Sequence, residues 1–157
     1  MMTTNAISPD VQEAKKCRRD HHNMSSKADS STTEFQFSSE PTLDQIRQMQ
    51  SDFARERDFG KFHTPRNLLL AMVGEVGEVA ELFQWRGEVQ DGLPDWSEKD
   101  KKHLSQELSD VLIYLVRLAE KCHIDLPAAV VEKIALNHQK YPASKVHGSC
   151  KKYNEYD

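Results

Sequence analysis

An all-α fold follows from three features of the chain. Its middle holds four segments in which apolar residues return every three or four positions. Each segment opens on a residue suited to cap a helix: Thr42, Thr64, Ser97 and Asp125. No strand pattern competes, Phe35-Gln36-Phe37 being too short to count as one. Four main helices are therefore expected.

Residues 1–40 lack periodicity and are rich in Ser, Thr, Asp and Lys, which predicts a disordered tail. The basic cluster Lys15-Lys16-Cys17-Arg18-Arg19 is flanked by Glu13 and Asp20. It reads as part of a solvated segment rather than as a nuclear address. Order is expected from Pro41. Thr42-Leu43-Asp44-Gln45 fits a capping box, with Gln45 at the third helical position. Leu43, Ile46, Met49, Gln50 and Phe53 then share a helical face running to about Arg57. Residues 58–63 form a short loop, in which Phe59, Phe62 and His63 lie too close together to share one stripe.

Thr64-Pro65 opens a second helix, with Thr as cap and Pro in the first turn, running to about Trp85. Gly87, Gly92 and Pro94 make residues 86–96 a flexible loop. Ser97 caps a third helix, with Asp100 in the box position, lasting to about Cys122. Asp125 and Pro127 begin a fourth, which ends near Lys140 because Tyr141-Pro142 stops it. Residues 41–142 thus form one domain, and residues 143–157 a polar, flexible tail.

The net charge of −4 disfavours a nucleic-acid polymer as partner. A free nucleotide remains compatible with it, since a metal ion can supply positive charge locally. Three cysteines, Cys17, Cys122 and Cys150, give no disulfide framework. Cys122 reads as a core-facing free thiol in a reducing compartment. No stretch is apolar for long enough to span a membrane, and the N-terminus shows no hydrophobic signal region. Cytoplasmic residence is the expectation, with nuclear and mitochondrial pools as alternatives. Wide apolar arcs on so few helices predict self-association.

The chemistry is carried by two short acidic signatures, Glu75-Val76-Gly77-Glu78 and Glu107-Leu108-Ser109-Asp110. Carboxylates three residues apart share a helix face. On a helical projection Glu75 lies within roughly 40° of Leu68, Val79 and Leu82. Glu107 lies inside the arc of Leu104, Leu108, Val111, Leu112, Leu115, Leu118, Ala119 and Cys122. An acid on an apolar face needs a counter-charge or stays protonated. Arg66, Arg86 and Arg117 are nearby candidates, but Arg117 projects beside Asp110 rather than Glu107. Salt-bridged helices are the bland explanation; a cage of four carboxylates for a divalent cation is the functional one. Oxygen-only ligands point to Mg²⁺. Neither Glu75 nor Glu107 is followed by His three residues on, which argues against a redox-metal carboxylate bundle.

The spacing Glu75-x-x-Glu78 … Glu107-x-x-Asp110 resembles the signature of the MazG-like all-α nucleoside triphosphate pyrophosphatases. The runs from Phe62-His63-x-Pro65 to Leu70, from Gly74 to Glu78, Glu81-Leu82-Phe83-Gln84-Trp85, and Glu107 to Leu115 are similar to the eukaryotic dCTP pyrophosphatase branch of that family. The likeness covers roughly residues 41–142. It implies a MazG-like bundle of four to five helices, a homotetramer, and Mg²⁺-dependent cleavage of a deoxynucleoside triphosphate between its α and β phosphates. dCTP and 5-modified dCTP would be the substrates and nucleotide-pool cleansing the role.

On that reading Glu75, Glu78, Glu107 and Asp110 hold the metal. Glu78, at the edge of its apolar arc, is the choice for activating water. Tyr114 shares a face with Asp110, and Trp85 stands at a helix end where it can stack on a base. The resemblance implies that Phe59, Gly60, Lys61, Phe62, His63, Trp85 and Tyr114 line the nucleotide pocket, and that Lys133 and Asn137 contact phosphate or sugar. Phe59 and Gln50 depart from the mammalian pattern, where Trp and His stand at these positions. Gln50 keeps hydrogen bonding but cannot carry charge. The alternatives are a related pyrophosphatase for dUTP or other non-standard triphosphates, and a non-catalytic helical oligomerisation module.

Overall fold

The computed structural model describes residues 34–148. The basic cluster at 15–19, Cys17 and Cys150 lie outside the described residues, as do most of the N-terminal tail and residues 149–157. The chain divides into two units, 1–37 and 38–157. In the described part of the first, Phe35 and Phe37 meet edge to face at 5.2 Å. The second carries the fold.

The described residues are helical and contain no strand. Helix α1 spans Leu43–Glu56, a 3₁₀ turn spans Phe59–Lys61, and α2 spans Pro65–Phe83. Helix α3 spans Glu98–Lys121, α4 spans Leu126–Lys140 and a single helical turn, α5, spans Ala143–Val146. The starts follow the local signals. Thr42 and Gln45 close a complete capping box on α1. Oγ1 of Thr64 accepts from the Asn67 amide at 3.3 Å, Oγ of Ser97 from the Asp100 amide at 3.1 Å, and Oδ1 of Asp125 from the Ala128 amide at 3.0 Å. The turn α5 falls where the sequence predicts a flexible tail.

Helices α2 and α3 form the principal packed pair, and α1 lies against α3. The core is small: Ala54, Leu68, Trp96, Leu104, Val116 and Ala119 are buried. Only part of each wide apolar arc reaches it. On α2, Leu68 is buried while Leu69, Val73 and Val76 are about half exposed; on α3, Leu108, Leu112 and Leu115 also face outward. Cys122, expected in the core, is exposed. It is the C-cap residue of α3 and still bonds Leu118 through its amide at 2.9 Å, so its exposure comes from its place at the helix end and not from a change of register.

The 86–96 loop is better anchored than its glycines suggest. Gly87 leaves α2 at φ +66, a left-handed turn that a side chain would strain. The segment then returns to bury Trp96 against Phe83, ring centroids 4.9 Å apart. Arg86 lies over the Trp96 ring at 4.1 Å and pairs with Asp100 at 3.0 Å. The loop exit and the start of α3 are thereby tied to the end of α2.

Candidate functional site

Packing α2 on α3 sets the two acidic signatures face to face. Glu75, Glu78 and Glu107 each offer a carboxylate oxygen, and these three atoms lie within 4.8 Å of one another. Their burial is graded: Glu107 is buried at 8% exposure, Glu75 is intermediate and Glu78 is exposed. Burial first, then the charges of Glu78, Asp110 and Glu107, push the Glu75 carboxyl above its usual value. Asp110 stands outside the close triad, although its charge is felt at Glu75.

Of the three cations weighed as counter-charges, two are engaged elsewhere and Arg66 is exposed, with no ion pair among the described residues. Arg86 pairs with Asp100. Arg117 pairs with Glu120, one turn further along α3, rather than with Asp110, and Glu120 also takes Nη1 of Arg47 at 3.1 Å. Among the described residues no Lys or Arg forms an ion pair with Glu75, Glu78, Glu107 or Asp110. The contact that exists is His103 Nε2 to Glu107 at 3.0 Å, between residues four apart on α3. Repelling carboxylates left without a cationic side chain, with oxygen donors alone, suit a hard divalent ion. The acidic group could hold a metal, and its chemistry fits Mg²⁺.

Beside the acids lies a cleft of about 400 Å³. Its walls are apolar, from Ile46, Met49 and Phe53 of α1, Phe59 of the turn and Ile113 of α3, with Gln50, His63, Asp110 and Tyr114 as polar groups. The turn after α1 builds one wall: Asp58 takes a left-handed φ of 52, and Phe59 then packs on Phe53 at 6.3 Å and on His63 at 6.0 Å. Oε1 of Gln50 is buried without a hydrogen-bond partner among the described residues. Burial, Glu75 and Asp110 raise the Tyr114 phenol above its usual pKa, so it remains a protonated donor. Asp110 and Tyr114 thus join the cleft to the acids.

Of the candidate residues, the structure brings Gln50, Phe59, His63, Asp110 and Tyr114 to one cleft, with Glu75, Glu78 and Glu107 adjoining. Gly60, Lys61, Phe62, Trp85, Lys133 and Asn137 do not line it. Lys61 pairs with Asp58 at 2.6 Å, and Trp85 is 87% exposed. Sequence reasoning missed Ile113 as a wall and Arg117 as a neighbour of His63. Ile113 stands inside the Glu107–Leu115 run but carries no polar group to single it out, and Arg117 lies beyond that run; the packing of α1 on α3 brings both into place. A second groove, about 330 Å³ between the start of α1 and the end of α3, carries none of these acids.

This chain belongs to the MazG-like family, whose model matches residues 71–156. Among its relatives, dCTP pyrophosphatase 1 from Rattus norvegicus is 55% identical over 77% of this chain and 71% of that protein. dCTP pyrophosphatase 1 from Homo sapiens is 54% identical over the same shares. A crystal structure of a pyrophosphatase from Archaeoglobus fulgidus is 34% identical, covers 64% of this chain and 92% of its own, and superposes with a TM-score of 0.58.

Proposed function

We propose that this protein is a nucleoside triphosphate pyrophosphatase. It hydrolyses dCTP, and 5-modified dCTP with it, to the monophosphate and pyrophosphate, cleansing the nucleotide pool. The observation that carries this reading is the group Glu75, Glu78 and Glu107, without Lys or Arg partners among the described residues, beside an apolar cleft with polar groups. The relatives named dCTP pyrophosphatase 1 support the choice of base.

Glu75, Glu78 and Glu107 would hold Mg²⁺, with Asp110 completing the set. When bound, the ion supplies positive charge to the triphosphate and to the departing pyrophosphate. The side chains do the rest. Glu78, the exposed member of the triad, orients the attacking water and accepts its proton as oxygen meets the α-phosphorus in line with the leaving group. Tyr114 donates from its hydroxyl. Phe53 and Phe59 receive the base, and Oε1 of Gln50 accepts from the 4-amino group of cytosine. Uracil and thymine carry a carbonyl there, which Oε1 cannot bond and which Gln50 meets only if its amide turns over to present Nε2.

Trp85, Lys133 and Asn137 enter this scheme through a homotetramer. They lie on exposed surfaces, and joining the site from a neighbouring copy is the arrangement the reading requires. The exposed apolar rows of α2 and α4 support such association. Among the described residues no helix is long and apolar enough to cross a membrane. We assign the protein to the cytoplasm, with nuclear and mitochondrial pools as alternatives that cell fractionation distinguishes.

A panel of deoxynucleoside triphosphates at equal concentration, with product identification, tests the reaction. dCMP and pyrophosphate formed faster from dCTP than any other pair is the expected result. Preference for dUTP or a purine triphosphate overturns the base assignment. No turnover with Mg²⁺ overturns the enzyme.

A further inference from the structure

His63 lines the cleft, and its Nδ1 receives a hydrogen bond from Nε of Arg117 at 3.3 Å. A guanidinium has no lone pair to offer, so this contact has one polarity: Nδ1 accepts and carries no proton. A neutral imidazole then keeps its proton on Nε2. Nε2 has no hydrogen-bond partner among the described residues.

Arg117 is itself held in place. It is 5% exposed, and its Nη1 donates to Oγ of Ser51 at 3.3 Å and to Glu120. Glu120 also binds Arg47. The guanidinium is thus fixed from α1 and α3 at once and cannot swing away from His63 without leaving a buried charge unpaired. The surroundings favour the neutral ring too. Burial, then Arg117, then Lys121 lower the pKa of His63.

We propose that Arg117 is a positioning residue for the cleft, holding His63 as the neutral Nε2–H tautomer so that the ring offers the substrate a directed donor without positive charge. As a statement about substrate, this rests on the proposed dCTP reading. A neutral donor from His63 and an acceptor from Gln50 together match a pyrimidine that presents a carbonyl and an amino group. An imidazolium would instead be drawn to the neighbouring carboxylates and phosphates, and would blur selection between bases.

The experiment uses the full-length protein with ¹⁵N-labelled histidine, free of nucleotide, at neutral pH. Long-range proton–nitrogen correlation reports which ring nitrogen is protonated, and H63Q identifies the signal. The expected wild-type result is a proton on Nε2. R117M should give exchange between both tautomers, and R117K, which keeps a cationic donor, should restore most of the Nε2–H form. In steady-state assays R117M should raise KM for dCTP about tenfold while kcat changes far less, as loss of a directed hydrogen bond predicts. Combined with H63Q, R117M should raise KM no further. A wild-type proton on Nδ1, an unchanged tautomer in R117M, or additive effects in the double variant would overturn the proposal and leave Arg117 merely structural. If R117M does not fold, the wild-type and R117K spectra decide it. The spectra need no turnover, so a protein that cleaves another triphosphate defeats the dCTP reading while leaving this assignment open to its own test.

Discussion

Glu75 is the residue on which site chemistry and stability conflict most directly. Burial first, and then three neighbouring carboxylates, destabilise its charged form, and no Lys or Arg ion pair among the described residues offsets them. E75Q should therefore raise the melting temperature of the metal-free protein by a few degrees. It should also remove both the stabilisation by Mg²⁺ and the hydrolysis of dCTP. A calorimetric scan in chelator, repeated with Mg²⁺, checks both, and a variant less stable without metal would refute the charge argument. His63 sets an acid limit. Its folded pKa lies below the ordinary 6.5, so the unfolded chain takes up a proton first. The stability tied to the neutral ring is complete above pH 6.5 and is lost as pH falls from there through the lower folded value. H63Q should flatten that part of the stability–pH curve in urea titrations.

At the scale of elements, short-range chemistry fixes where helices begin, and one long-range contact fixes how two of them meet. T42A removes the hydroxyl that caps α1 and should cost about 1 kcal/mol of unfolding free energy. Trp96 matters more. It fills the junction between Phe83 and the start of α3 and carries Arg86 on its face. W96A should destabilise the protein by about 3–5 kcal/mol and lower activity as well, because the α2–α3 alignment sets the spacing of Glu75 and Glu107. Denaturation monitored by circular dichroism measures the first effect, and pyrophosphate release the second. The sequence marks this stretch by Gly87, Gly92 and Pro94, which signal a turn, but says nothing of the tryptophan that closes it.

For the molecule as a whole, the arithmetic of surface is unusual. Leu69, Val73 and Val76 on α2, and Val130, Val131, Ile134 and Leu136 on α4, are each exposed by nearly half or more. Apolar faces of this extent mark interaction surfaces. If the proposed homotetramer covers α2, then V73E/V76E should shift sedimentation toward smaller species and reduce turnover in proportion. A wild-type protein that sediments as a single chain at micromolar concentration would remove the tetramer.

Much of this was legible in the chain alone. Thr42 with Gln45, Thr64 with Pro65, Ser97 with Asp100 and Asp125 with Pro127 act over three residues or fewer, so the sequence determined the helix starts. Helical periodicity also placed Glu75 and Glu107 on apolar faces, which singled them out as chemistry rather than surface charge. The tertiary structure alone decided which half of each apolar arc is buried, why Leu68 is covered while Leu69, Val73 and Val76 are not, and where Arg117 points. It also decided that Ile113 walls the cleft expected for Gln50 and His63, and that Gly60, Lys61 and Phe62 do not line it. The physical reason is range: caps and periodicity are local, whereas burial depends on where helices cross. The contact of Arg117 with His63 joins residues 54 positions apart, a separation that no local pattern encodes.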